Sequence, residues 1–368
     1  MPDVSAFPLI DVEGSPLERG MAHGRQARER VRRSVGLYRG RLQRLGLSDK
    51  EVSTAVERYL PIIESFGSHY IHEMRGIAEG AEVGFEDIAL VNARTEVVAE
   101  ARAGLATEDA PDSCTGVIVM PERSASGSLI HAQNWDWLAA CVETAVVLRI
   151  RRDDGPDILT FTEAGGLARS GLNAAGIAIT ANYLESDRDF RQRGVPLALI
   201  RRKVLEQEHF AAAIRIVATT PKACSNNMIL SHADGFALDL ECAPDEAFPL
   251  YPEGGLLVHA NHWLSPVALS KLKEAGLADS PDSLYRDMRV KALLDAKEKA
   301  LKPEDVKEAL ADRFGWPYAV CRPAVALGSE PETATVAMLL LHPKERRIEV
   351  APMPAEGHGF TSYALDAA

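Results

Sequence analysis

No stretch of the 368-residue sequence approaches the roughly 18 consecutive apolar residues that a membrane-spanning helix needs, so no membrane segment is expected. The N-terminus, Met1-Pro2-Asp3-Val4-Ser5, lacks a basic start followed by an apolar run. No export signal is evident there, and the cytoplasm is the expected compartment. The five cysteines (Cys114, Cys141, Cys224, Cys242 and Cys321) are odd in number and form no C-x-x-C pair, which removes a structural zinc site and a dithiol redox motif. Free thiols in a reducing compartment fit that pattern. Positive charge is in deficit: 41 Lys and Arg against 53 Asp and Glu give a net charge of −12, with no broad field for holding nucleic acid. Also missing are a G-x-S-x-G elbow, an H-E-x-x-H pair, a Walker loop and a dinucleotide fingerprint after a strand. His259 and His262 stand three apart, but on an expected strand end they point different ways, so neither a metal nor a cofactor is expected. Internal repeats and low-complexity segments are absent as well.

What the chain does have is a change of period part-way along. Residues 7–13 read as a short strand. Ser15, Pro16 and Glu18 then mark a helix start: a hydroxyl cap, a proline at the first helical position and a glutamate three residues on to complete a capping box. This helix is expected to run to about residue 46. Around it stand Arg25, Arg28, Arg30, Arg32, Arg33, Arg39, Arg41 and Arg44, either as a solvated face with stems on apolar surface or as a site for an anionic partner. A second box, Ser48 with Glu51, opens a helix that Pro61 kinks or ends, and further helices follow at 68–81 and 85–99. Residues 101–113 carry little periodicity and read as an exposed linker.

From Cys114 the period switches to two. Strands are expected at 114–121, 128–135, 143–151, 157–163, 167–171 and 176–183, then helices at 195–206 and 208–218. Strands return at 225–231, 235–241 and 256–260, helices at 282–297 and 303–312, and strands at 334–341 and 346–351. This grouping is that of a layered α+β fold and not of alternating βαβ units. A mainly helical segment, 1–113, and a strand-rich segment, 114–368, would together form one domain.

The junction carries the chemistry. In Asp112-Ser113-Cys114-Thr115-Gly116, a cysteine opens a strand after a loose linker, which is where a chain can be cut to make a new N-terminus. One residue would then supply a thiol that titrates near about 8.5 and an α-amine base near about 8, close to the operating pH. That is the chemistry of an N-terminal-nucleophile hydrolase. A hairpin through the turn at 124–127 would return the next strand beside the first and bring Asp136 to the end where Cys114 starts. Cys141, Cys224 and Cys242 lie in or beside expected strands and read as small core residues.

Further stretches fall in order along nearly the whole chain: Gly14-Ser15-Pro16-Leu17-Glu18-Arg19-Gly20 with His23-Gly24, then Cys114-Thr115, then Gln133-Asn134-Trp135-Asp136. Gly171-Leu172-Asn173-Ala174-Ala175-Gly176-Ile177 with Asn182, Asn261-His262 and Cys321-Arg322 complete the series. Each is weak alone, but the ordered set resembles the acyl-coenzyme A:6-aminopenicillanic acid acyltransferase-like peptidases, relatives of the choloylglycine and penicillin V hydrolases. The resemblance implies an αββα sandwich and self-cleavage between Ser113 and Cys114. It implies that Asp136 orients the nucleophile and that Asn261 donates its side-chain amide to the oxyanion, helped by either Asn182 or Tyr183. It also places Arg322 close to the thiol, where a fixed cation lowers a thiol pKa. One departure stands at Ser113, where the best-known relative has Gly; cleavage acts on the carbonyl of that residue, so only its rate is affected.

The expected activity is that of an amidase, in which Cys114 takes an acyl group from a small-molecule amide and water releases it. An acyltransferase that hands the acyl group to an amine shares the first half-reaction, and an inactive binding module of the same fold is the third reading. Trp135, Tyr183 and Trp263 flank the motif positions and would line an acyl pocket, or else serve as core. No nucleic-acid or membrane partner is expected, and the two cleaved fragments are expected to stay associated.

Overall fold

Two β-sheets lie face to face between helical layers in the computed structural model, which describes residues 5–102, 113–326 and 332–366. The first sheet has eight strands in the order β1 (Leu9–Val12), β4 (Ala145–Ile150), β5 (Ile158–Glu163), β6 (Ser170–Asn173), β7 (Ile177–Tyr183), β8 (Asn226–His232), β9 (Phe236–Cys242) and β10 (Ala247–Leu250). The second has six: β11 (Leu256–His259), β2 (Ser113–Val119), β3 (Ile130–Leu138), β12 (Thr333–His342), β13 (Arg347–Pro352) and β14 (Thr361–Ala364). Neighbours are antiparallel except β1 and β4. The N-terminal helices are α1 (Pro16–Gln26), α2 (Arg28–Arg44), α3 (Asp49–Glu57), α4 (Leu60–Phe66), α5 (Ser68–Ala81), α6 (Phe85–Asn92) and α7 (Arg94–Arg102). Later come α8 (Leu197–Leu205), α9 (Phe210–Thr219), α10 (Pro266–Leu269), α11 (Ser283–Asp295) and α12 (Pro303–Leu310). Helices α2 and α8 cover the first sheet and α11 and α12 the second, so the layer order is αββα.

The alternation of a strand explains how the sandwich closes. Along β3, His131, Gln133 and Trp135 point between the sheets. His131 lies 2.9 Å from Ser231 Oγ and 2.8 Å from Thr180 Oγ1, and burial pushes its pKa down to about 3, so it bridges the sheets as a neutral ring. Gln133 Nε2 donates to the Ala181 carbonyl (2.7 Å) and to Asn182 Oδ1 (3.0 Å), while Ser170 Oγ donates to Gln133 Oε1 (2.7 Å). The intervening residues point the other way. Asn134 Nδ2 donates to the carbonyls of Leu310 (2.7 Å) and Val320 (2.9 Å), which fixes the end of α12 and the approach to Arg322. On β2 the outward Val117 and Val119 pack with Val290 and Leu294 of α11 and Leu310 of α12, a second core under the outer helices.

The motif at 14–24 turns out to be a helix crossing. Ser15 and Glu18 form the capping box, with Glu18 Oε2 accepting from the Ser15 amide at 2.9 Å. Arg19 and Arg202 meet on the buried Glu73 (3.3 and 2.9 Å), and together they hold its carboxyl below the usual range against the effect of burial. Gly20 and Gly24 of α1 face Gly76 and Gly80 of α5 with backbones almost touching: a Cβ at Gly20 would stand 2.1 Å from the Glu73 carbonyl oxygen, and one at Gly76 2.2 Å from that of Leu17. This commitment to α5 also explains why the helix expected to reach residue 46 breaks at Ala27. The apolar face of α2 (Val31, Val35, Tyr38 and Leu42) must turn to a different surface. The 85–99 helix breaks in the same way at Ala93. Pro61 sits in the first turn of α4, one helix after the break it was expected to cause. Strands β10 and β14 and the short α10 were not foreseen. Of the expected linker, 101–102 end α7, Ser113 starts β2, and 103–112 lie outside the described residues. Most of the arginines around α2 find acids or carbonyls, such as Arg32 on Glu82 (2.8 Å) and Arg33 on Glu143 (2.7 Å). Arg41 is buried, with its guanidinium 4.4 Å over the Trp137 ring.

Gly76→Ala is expected to cost about 2–3 kcal/mol, because backbone and not a flexible side chain blocks the new methyl. Gly36→Ala, on the open side of α2 with nothing within 4 Å, should stabilise by about 0.5–1 kcal/mol. Urea melts of both measure the contrast; equal effects would show that the α1–α5 crossing is not close-packed.

Candidate active site

Cys114 is the second residue of β2, buried, and faces inward opposite Trp135, while Ser113 lies opposite Asp136. The hairpin therefore does bring Asp136 to the start of β2, beside Cys114. The third strand at this point is β11, whose His259 pairs with Gly116, so the chain beyond it passes beside Cys114. Asn261 sits there and accepts a hydrogen bond from the Cys114 backbone N–H on Oδ1 at 2.8 Å. Its Nδ2 donates to the Tyr183 carbonyl at 2.9 Å.

A charged network closes around this contact from the outer side of the sheet. Along α11 the buried residues Ser283, Arg286, Val290 and Leu294 share one face, apolar at the far end and polar at the site. Arg286 donates to the Cys114 carbonyl (2.5 Å), Thr115 Oγ1 (3.0 Å), Asn261 Oδ1 (2.9 Å) and Asp282 Oδ2 (2.8 Å). Asp282 also receives Arg322, whose Nε lies 3.5 Å from Asp136 Oδ2. Thr335 ties the far end, donating to Asp136 Oδ1 (2.7 Å) and accepting from the Arg322 amide (2.8 Å). Burial raises the Asp136 pKa, with Arg322 and Arg286 opposing it. Burial works against the Asp282 charge too, but Arg322 and Arg286 bring its carboxyl below the usual range. Arg322 is near enough to Cys114 for the two charges to feel each other. Burial pushes three of the other thiols up, Cys242 to about 11, Cys321 to about 12 and Cys224 well above the usual thiol value, which makes them poor nucleophiles.

The structure thus gathers Cys114, Asp136, Asn261 and Arg322 at one place. Asn182 is adjacent but occupied: its Nδ2 donates to the carbonyls of His259 (3.0 Å) and Ala260 (2.9 Å), so it positions the stretch before Asn261. Tyr183 stands closer to the chemistry through its carbonyl. Trp135 fills the core, edge-on to Phe161 at 5.4 Å and beneath the Arg169 guanidinium at 4.2 Å. Trp263 belongs to a separate apolar cluster with Phe248, Leu184 and Leu272, with its Nε1 on the Glu185 carbonyl, so it does not join this site. Arg286, Asp282 and Thr335 were missed in the sequence. The one signal was an acid and an arginine four apart at a helix start, which reads as an ordinary helix ion pair. Among the described residues no cluster of His, Cys, Asp and Glu is arranged to hold a metal ion, and no helix is long and apolar enough to cross a membrane.

The family model described as acyl-coenzyme A:6-aminopenicillanic acid acyl-transferase matches residues 123–352. The chain belongs to that family. The matched stretch holds Asp136, Asn261, Asp282, Arg286 and Arg322 and begins just after Cys114. A relative from Emericella nidulans, the acyl-coenzyme A:6-aminopenicillanic-acid-acyltransferase 40 kDa form, is 29% identical over 323 residues, covering 85% of this chain and 84% of its own. An alignment that long necessarily runs across residue 114. Among solved structures, an N-acylethanolamine-hydrolyzing acid amidase ortholog from Caenorhabditis elegans shares 14% identity over 69% of this chain and 100% of its own, with a TM-score of 0.46. A conjugated bile acid hydrolase variant from Clostridium perfringens shares 12% over 68% and 92%, with a TM-score of 0.48. The Emericella relative is an acyltransferase.

In this family member the loop that carries Asn261 is anchored by a buried charge cluster. His259 Nε2 lies 2.8 Å from Glu241 Oε1 and 3.7 Å from Asp239 Oδ2. Glu241 also accepts from the amides of Leu264 (2.5 Å) and Ser265 (3.0 Å). Ser283 Oγ accepts from the Asn261 amide at 2.7 Å. Burial alone would lower the His259 pKa, but the two carboxylates carry it to about 9, and burial pushes Asp239 up to about 6. An unfolded histidine titrates near about 6.5. The raised folded value means that the His259 contribution to stability is complete below about pH 6.5, shrinks as pH rises and is gone by about pH 9. Thermal melts across that window should show a fall in Tm that His259→Gln flattens, with the variant lower at the acid end. Parallel curves for the two proteins would show that the ion pair adds nothing.

Proposed function

We propose that this protein is a self-processing amidase that works through a thioester on Cys114. The single observation that carries the reading is the pair of contacts on that residue's backbone: its N–H on Asn261 Oδ1 at 2.8 Å and its carbonyl on Arg286 at 2.5 Å. The nitrogen of the Ser113–Cys114 bond is thus already held by the group that would hold a free α-amine after cleavage. In processing, Cys114 Sγ attacks the Ser113 carbonyl carbon, the C–N bond breaks, and the nitrogen takes up the thiol proton. Water then hydrolyses the thioester, leaving a Ser113 carboxylate and an N-terminal Cys114. In turnover the neutral α-amine accepts the thiol proton, the thiolate attacks the substrate carbonyl, and the α-ammonium passes that proton to the substrate nitrogen as the C–N bond breaks and the amine leaves. Water or an acceptor amine takes the acyl group; the amide-hydrolysing relatives and the acyltransferase relative support both outcomes, and a water acceptor is the simpler assignment.

Asp136 and Arg322 support this reading by placing a fixed cation and its counter-ion beside the thiol. Asn261 supports it by holding the Cys114 nitrogen on Oδ1 at 2.8 Å, with Nδ2 on the Tyr183 carbonyl at 2.9 Å; an Nδ2 donor directed at the attacked carbonyl in turnover would contribute about 3–4 kcal/mol when preorganised.

Purified protein should consist of one fragment ending at Ser113 and one beginning at Cys114, and Cys114→Ala should stay a single inactive chain; intact mass and N-terminal sequencing decide it. An active enzyme whose N-terminus is only Met1 or Pro2 would overturn the reading. On fully cleaved protein, Asn261→Ala should lower kcat by about 10² to 10³ with a smaller change in KM. Arg322→Ala should shift the acid limb of the kcat/KM profile upward in pH, because the thiol loses its cationic neighbour. Near wild-type profiles for both variants would reduce these residues to a structural role.

A further inference from the structure

Asn261 is held at both ends by one turn of α11. Its side-chain Oδ1 accepts from Arg286 at 2.9 Å and from the Cys114 N–H at 2.8 Å. Two donors on that atom fix which way the amide faces, and so direct Nδ2 to the Tyr183 carbonyl at 2.9 Å. The backbone end belongs to Ser283, three residues before Arg286 on the same buried face, whose Oγ accepts from the Asn261 N–H at 2.7 Å. Arg286 sets the orientation of the amide, and Ser283 sets where the residue that carries it stands.

Ser283 does not act alone. Its hydroxyl has one proton to give, and His262 Nδ1 lies 2.8 Å from Oγ. The other ring nitrogen, Nε2, faces the Asp287 carboxyl across 3.8 Å, and a carboxylate on that side favours a proton on Nε2. Nδ1 is then the acceptor, and the bonds run one way, from the Asn261 N–H to Ser283 and from Ser283 to His262. The surroundings keep the ring neutral. Burial lowers its pKa to about 4, His259 of β11 and Arg286 of α11 act in the same direction, and Glu241 of β9 opposes them. Ser283, His262 and Asp287 have the composition of a nucleophilic triad, but Ser283 is fully buried and already accepts a backbone N–H. That makes it a strut and not a second nucleophile.

Resting on the amidase reading above, we propose that Ser283 and His262 are positioning residues for turnover. The neutral imidazole takes the Ser283 proton, Ser283 takes the Asn261 N–H, and the Asn261 side chain is thereby held at its working distance from Cys114. Because both side chains are buried, a partner lost from this chain is not replaced freely by water, and the displacement passes to Asn261.

The test uses cleaved protein labelled with 15N at histidine, the His262 signals being identified by their loss in His262→Asn. At neutral pH wild-type His262 should be the Nε2–H tautomer, and Ser283→Ala should move its Nδ1 signal, as for an acceptor that has lost its donor. Hydrolysis of N-acyl amino acids and simple N-acyl amines then reads the consequence. Ser283→Ala and His262→Leu should each lower kcat about tenfold or more while KM changes less than about twofold. Ser283→Thr keeps the hydroxyl, and His262→Asn puts an oxygen near the place of Nδ1, so both should recover most of the loss. His262→Gln, whose polar group falls nearer Nε2, should not. The double variant Ser283→Ala/His262→Leu should be no worse than either single one, since both break the same chain. If His262→Leu fails to fold, the Asn and Gln variants and the wild-type spectrum decide. A proton on Nδ1 in wild type, or wild-type kcat in Ser283→Ala, overturns the proposal and leaves the amidase reading standing. A protein that neither cleaves nor turns over an amide removes that reading, and the wild-type spectrum, taken on the whole chain, then decides the hydrogen-bond chain by itself.

Discussion

Four charges that cannot be buried singly hold Cys114 in place. Arg286 is fully buried and Asp136 almost so, with Arg322 and Asp282 linking them into an alternating chain. Two cations and two carboxylates compensate one another, and removing one member of a buried pair typically costs about 3–5 kcal/mol because the other is left uncompensated. That penalty ties together stretches with no other reason to meet: the start of β2, the start of β11's outgoing loop, the first turn of α11 and the segment at 321–322. Cys114 is positioned less by its own packing than by these partners gripping its backbone on both sides.

The sandwich supports that point through strict alternation. Inward residues of β3 are polar as well as apolar, yet His131 and Gln133 find partners across the gap, so the sheets are cross-linked by neutral hydrogen bonds that salt does not screen. Outward residues carry the charges, close to the helices that supply their counter-ions. One strand thereby separates the bonding that holds the layers from the electrostatics that serve the thiol.

What was legible in the sequence is what depends on short spacings. The two capping boxes, the switch of period at Cys114 and the return of Asp136 by a hairpin each rest on residues a few positions apart. Arg286 escaped because its partner carbonyl is 172 residues away, and nothing local distinguishes it from a surface helix arginine. The helix break at Ala27 carried no glycine or proline to announce it; close packing of α1 on α5 forces it from outside. Trp263 misled for a related reason. An aromatic beside a motif says that a side chain is buried, but not in which of several apolar clusters.

Strand β1 has a consequence for the life of the molecule. It comes from the far N-terminal end, yet it forms the edge of the eight-stranded sheet beside β4, with the Val147 amide on the Pro8 carbonyl (3.0 Å), the Arg151 amide on that of Val12 (2.9 Å) and Tyr363 Oη on that of Phe7 (2.6 Å). A cut before Cys114 would sever the covalent tie but not this weave. The two pieces would be bound like layers of one cloth, parting only when the sheet itself is torn. Subunit exchange between mature molecules would then be as slow as global unfolding, and each would keep for life the partner with which it was synthesised.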